Sequence, residues 1–143
     1  MNARLRLLAA LTATALGFAL LVGLAIRAAT APSAEQRVLA TVERFVEAVN
    51  ERNARLLCSE LLTQQFVEGV TATRGATARR LCERELAAIR GPRLRLVRVK
   101  AVRVVDDEAT VRALIDYGPL RRDRELRLRR EQGRWRIEGS TAG

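Results

Sequence analysis

The chain has 143 residues, no histidine, and 26 basic against 16 acidic side chains, a net charge of +10. Lacking histidine, it has no Ser–His or Cys–His nucleophile pair, no imidazole to ligate zinc and not the commonest general base. Only 3% of its residues are aromatic, too little surface to stack the bases of a single strand, so the basic character does not point to nucleic acid.

Residues 1–6 form a short basic N-terminus carrying Arg4 and Arg6. Leu7 to Ile26 is then free of charge and, at about 1.5 Å per helical residue, spans roughly the 30 Å hydrocarbon core of a bilayer. A secretory signal has a shorter apolar region, about 7–15 residues, with small residues at its cleavage site. Ala29-Thr30-Ala31 has suitable small residues, but Pro32 would follow the cut. The pattern predicts an uncleaved signal-anchor over 7–26, with a cleaved signal and a secreted product as the alternative. Basic residues before the span keep the N-terminus cytoplasmic and place the remainder outside the cell membrane. Residues 27–33 read as a linker, and 34–140 as one domain with one core.

Ser33 and Gln36 form a capping box at the start of a helix. Val38, Leu39, Val42, Phe45, Val46 and Val49 recur along it at helical spacing. Asn53 can cap a second, shorter helix carrying Leu56, Leu57, Leu61 and Leu62. The stretch Thr63 to Gly75 reads as irregular, pinned to the core by Phe66 and Val67. A third helix over Ala76 to Arg90 turns Leu81, Cys82, Leu86 and Ile89 inward and ends at Gly91-Pro92.

From Arg93 the apolar period shortens to two. Leu94 and Leu96 lie on one parity, Val97 and Val99 on the other, and Val102 and Val104 return to the first, so the strand should contain a bulge or bend. Asp106-Asp107 makes a turn. Ala109, Val111, Ala113, Ile115 and Tyr117 then share one face of the next strand, with Asp116 on the other. Gly118-Pro119 turns the chain again. Leu126 and Leu128 alternate with charged residues, Gln132-Gly133 turns, and Trp135 and Ile137 face inward on the last strand. Helices followed by an antiparallel meander indicate an α+β fold: after the membrane helix, about three helices packed on a curved antiparallel sheet of about four strands.

Cys58 and Cys82 are the only cysteines, and in an oxidising compartment they are read as a disulfide. No CxxC spacing supports redox chemistry, and two sulfurs without histidine make a poor metal site, so no cofactor or metal is expected. The inward face has two polar members, Tyr117 and Arg130, which with Trp135 are the candidate pocket residues. Trp135 reads first as a core plug. Asp106, Asp107 and Glu108 read as solvated turn residues. No catalytic residue is assigned.

The helix VLATVERFVEAVNERN, the short helix ARLLCSELL and the ending RLRREQGRWRIEG resemble the nuclear transport factor 2-like superfamily (SnoaL-like, cystatin-like cone). The resemblance covers about Ala34 to Gly139 and implies helices packed into a strongly curved sheet, in an exported or membrane-anchored member. Enzymatic members such as ketosteroid isomerases use Tyr and Asp groups in the cone. The first helix here has no Tyr, so that chemistry does not carry over. Relatives dimerise through the outer sheet face, which here would carry Arg95, Arg112, Arg127, Arg129, Arg134 and Arg136. Like charges would meet there, so a monomeric domain is expected.

The sequence therefore predicts a membrane-anchored, extracytoplasmic, non-enzymatic accessory domain. It would contact anionic lipid, an acidic envelope polymer or an envelope protein through those six arginines. A small-ligand carrier or cryptic enzyme using the cone interior is the alternative, and it requires a cavity of about 300 Å³ or more.

Overall fold

Valines at i, i+4 and i+8 give the first helix, α1 (Ala34–Glu51), a stripe of Val38, Val42 and Val46 that is buried along with Ala48. The computed structural model describes residues 31–143. The basic N-terminus and the predicted membrane span lie outside the described residues, and among those described no helix is long and apolar enough to cross a membrane. Residues Ala34–Gly143 form one compact unit.

The chain leaves α1 through Arg52, whose φ of 56° is left-handed. Asn53 then caps α2 (Ala54–Leu56), its side chain accepting the Leu56 N–H at 3.1 Å. This short helix widens into a π-helical turn (Leu57–Leu61) that closes with a bond from the Leu62 N–H to the Leu57 carbonyl, and it buries Leu57, Cys58 and Leu61.

Thr63 to Gly75 departs from the sequence reading. Most of it is an ordered helix, α3 (Gln64–Thr71), with Thr63 as its N-cap accepting from Phe66 N–H at 3.2 Å. Val67 and Thr71, one turn apart, face the core. Helix α4 (Gly75–Ala88) follows and buries Ala78 and Cys82. Glu68 joins the two helices: its carboxylate accepts the Gly75 N–H at 2.9 Å and the Gln64 amide at 2.6 Å. These hydrogen bonds, the one from Gly75 first, hold the Glu68 pKa below its ordinary value. Ile89, predicted to point inward, is 57% exposed, because α4 stops at Ala88 and the next residue is already extended.

Four strands follow as a meander in the order β1-β2-β3-β4, every pair antiparallel: β1 (Leu94–Val105), β2 (Glu108–Tyr117), β3 (Leu120–Glu131) and β4 (Arg134–Ala142). The parity switch in β1 resolves as two register shifts, at Leu96/Arg98 and at Val99/Ala101. Both shifts keep Leu96, Val99, Val102 and Val104 packed against the core. A third irregularity, at Arg127/Leu128, bends the β3–β4 pair. Gln132 and Gly133 both have positive φ, 51° and 77°, as a tight hairpin turn of the I′ kind requires.

Helix α1 touches β1 and β4, the two outermost strands of the sheet. One helix can reach both edges only if the sheet curls around it. Beyond α2, Leu62 forms a parallel bridge with Ile137, and the Thr63 N–H bonds the Ile137 carbonyl at 2.9 Å, so the helical layer is stitched to the β4 edge. The predicted α+β cone is therefore present, with four helical segments where three were expected.

Candidate functional site

The inner face of the sheet follows from pairing. Ala109, Val111, Ala113 and Ile115 on β2 are buried, as are Leu126 and Leu128 on β3 and Trp135 and Ile137 on β4. Toward the end that carries the Gln132-Gly133 turn, Ala109, Val111, Leu128 and Trp135 pack with Val38 and Val42 of α1 in the core. Toward the other end the filling is incomplete, leaving a cavity of about 340 Å³. Its wall combines Phe45, Val46 and Val49 of α1, Leu57 and Leu62, Phe66 of α3 and Leu86 of α4 with a sheet floor of Leu94, Ile115, Tyr117, Leu126, Ile137, Gly139 and Ser140. The polar side chains on this wall are Tyr117 and Ser140; no carboxylate or guanidinium lines it. Such a wall offers apolar contact and two hydroxyls.

Of the three candidate pocket residues, only Tyr117 lines this cavity. Arg130 has the predicted inward parity but lies at the far end of β3. There its guanidinium meets Asp107 at 2.6 Å and stands 5.8 Å from the centre of the Trp135 ring. Trp135 is 6% exposed and packs in the core, as the plug reading requires. Its outer edge borders a separate open groove with Arg37, Arg44, Glu60 and Arg134.

Two residues on the inner face had no place in the sequence reading. Arg124 pairs with Ala113, and Arg122 with Ile115. Both lie on the Leu126–Leu128 parity of β3, extended toward its N-terminus. The Arg124 guanidinium sits 5.5 Å from the centre of the Tyr117 ring. The signal was available: counting back two and four residues from Leu126 reaches both. An arginine on a core face runs against composition, which is why the inward set stopped at Leu126.

Cys58 in the π turn and Cys82 in α4 form the predicted disulfide, with their Cα atoms 6.1 Å apart and both residues buried. The described residues contain no free cysteine and no cluster of three potential metal ligands.

The outer sheet face carries the six arginines proposed as an anion surface, and four of them are already engaged. Arg95 meets Asp116 at 2.6 Å, and Arg129 bridges Glu138 at 3.0 Å and Glu108 at 3.3 Å. Arg134 lies 4.0 Å from Glu60. Arg136, only 14% exposed, donates to the Ser59 carbonyl at 2.9 Å, reaches the Leu62 carbonyl at 3.4 Å and stands 3.6 Å from Glu131. Arg112 and Arg127 are exposed and have no carboxylate within ion-pair distance among the described residues. Asp116 is the most constrained acid on this face. Hydrogen bonds from Arg121 first and Arg95 second lower its pKa to about 2.

No family model matches the chain, and no curated protein matches it. Among solved structures it is similar to an NTF-2 like protein of unknown function from Silicibacter pomeroyi DSS-3. The two are 19% identical over 73% of this chain and 89% of that one, with a TM-score of 0.45.

Proposed function

We propose that this chain is a membrane-tethered, extracytoplasmic domain that binds a small, largely apolar molecule in its cone without transforming it. The cavity of about 340 Å³ carries this reading: it exceeds the size a ligand site needs and has a continuous apolar wall. The disulfide favours an oxidising compartment, and the apolar run over 7–26 supplies the tether. Catalysis is not part of the proposal, because Asp116, the best-held carboxylate, lies on the outer face between two arginines.

Thermal unfolding of the domain with butylbenzene tests the binding. A ligand bound only by the folded state raises the midpoint with concentration. Val49→Trp, which projects an indole into the cavity from α1, should abolish that rise while the domain stays folded. An unchanged midpoint in the native chain would reject the proposal. Membrane fractionation with protease accessibility tests the location.

A second reading, contact with anionic lipid or an envelope polymer, keeps support from one observation. Arg112 and Arg127 are unpaired among the described residues and lie close together on the outer face: Arg127 is opposite Thr110, two residues from Arg112 along β2. Binding to anionic vesicles that fell with added salt and was lost in Arg112→Gln/Arg127→Gln would establish it.

A further inference from the structure

We infer that the cavity's ligand is an amphipathic carboxylate, with its apolar body inside the cone and its head group held by Arg124. This deepens the cavity reading above and rests on it. Arg124 is two residues from Leu126 along β3, and its partner Ala113 is two residues from Ile115 along β2. Leu126 and Ile115 are both cavity wall, so Arg124 occupies the next position on the same surface. Its guanidinium also faces the ring of Tyr117, another wall residue, at 5.5 Å.

Arg124 has no counter-ion among the described residues. Its Nε is buried without a hydrogen-bond partner, and no carboxylate among the described residues reaches its guanidinium. The nearest acids in sequence, Asp123 and Glu125, point to the opposite face, where Asp123 is held by Lys100 at 2.5 Å. Arg95, Arg121 and Arg129 on the outer face are each matched to a carboxylate, as is Arg130 at the far end of the inner face, whereas Arg124 beside the cavity is not. Arg122, exposed and opposite Ile115, adds a second unmatched charge on that face.

A half-buried guanidinium shielded from water attracts an anion more strongly than one in solvent, and its planar fork fits a carboxylate through two parallel bonds. Tyr117 and Ser140, the polar side chains of the wall, add hydroxyls able to hydrogen-bond a head group. At about 30 Å³ for each water-sized group, the cavity holds roughly eleven heavy atoms. That is the size of a medium-chain or aryl-alkyl monocarboxylate, and too small for a diacyl lipid.

The test is calorimetric titration of the full chain in zwitterionic nanodiscs, with empty nanodiscs subtracted, using 4-phenylbutyrate, 4-phenylbutanol and 4-phenylbutylamine. These probes share one apolar body and differ in the charge of the head. A charge-assisted hydrogen bond predicts that the carboxylate binds roughly tenfold or more tighter than the alcohol, with the amine weakest. Arg124→Gln should bring the carboxylate down to the level of the alcohol. Its unchanged affinity for the alcohol would report that the fold is intact. Equal affinities for carboxylate and alcohol in the native chain, or a carboxylate affinity untouched by Arg124→Gln, would overturn the inference and leave the cavity reading standing. Binding of none of the three would reject both.

Discussion

Asn50 grips the main chain of Leu94 from both sides. Its Nδ2 donates to the Leu94 carbonyl and its Oδ1 accepts the Leu94 N–H, each at 2.8 Å. These two bonds tie the last turn of α1 to the first residue of β1, beside a cavity that Val49 and Leu94 both line. The side chain replaces the strand partner that an edge residue lacks, and so fixes how far the helix stands from the sheet.

Asn50→Ala removes both bonds and should destabilise the domain by about 1–3 kcal/mol, since a net hydrogen bond contributes about 1 kcal/mol and orphaned main-chain groups add to the loss. Urea unfolding measures this. Hydrogen exchange should show the Leu94 amide losing protection before those of Val111 or Leu128. Uniform loss of protection would mean that the pair does not act as a local clamp.

The disulfide should contribute about 3.5 kcal/mol, because it closes a loop with a sequence separation of 24 residues. Cys58→Ala/Cys82→Ala, or reduction of the unfolded chain before refolding, should lower stability by close to that amount. Since both cysteines are buried in the native fold, mild reductant added to folded protein should act slowly. Midpoints that coincide with and without the bond would show that the π turn and α4 hold together unaided.

Much of this architecture could be read from residues alone, and the gaps have physical causes. The strand faces followed from period two, and the bulged β1 from a parity clash among Leu96, Val97 and Val99. Asn53 announced its cap, and the cysteine pair its bond. Helix α3 was missed because Gly69, Val70 and Thr71 are poor helix formers, and because Thr63 caps it without a Glu or Gln three residues on. The π turn has no sequence signature of its own. Apolar alternation on β3 ends at Leu126, so it does not reach Arg124. The outer face was read as basic because charge was counted, whereas the register places Asp116, Glu138 and Glu108 beside particular arginines.

Asp116 makes stability depend on acid pH. Its pKa falls from 3.8 to about 2 on folding, so the folded state binds fewer protons than the unfolded one in that range. The stabilisation is therefore complete above about pH 5, where both states are ionised, and is lost as the pH falls through 4 toward 2. The difference in urea midpoint between the native chain and Asp116→Asn should be largest at neutral pH and close between pH 4 and 2. A difference that stays constant over this interval would show that the arginines do not hold the carboxylate.

Trp135 packs in the core and lines no part of the cavity, and this gives the two regions distinct mutational signatures. Its ring is 6% exposed, stacks beneath Arg130 and is absent from the cavity wall. Trp135→Ala should cost about 3–5 kcal/mol, the range for deleting a buried aromatic side chain. At temperatures where the variant remains folded, it should keep its affinity for a ligand in the cavity. Ile115→Ala, on the cavity floor, should do the opposite in relative terms: its loss should lie nearer the lower end of the roughly 2–5 kcal/mol range for such truncations, because one side of the residue already faces empty space, and it should change which ligand lengths fit. Paired unfolding and binding curves for the two variants check this. Equal effects of both on ligand affinity would mean that the cone behaves as one continuous core, with no independent pocket at its open end.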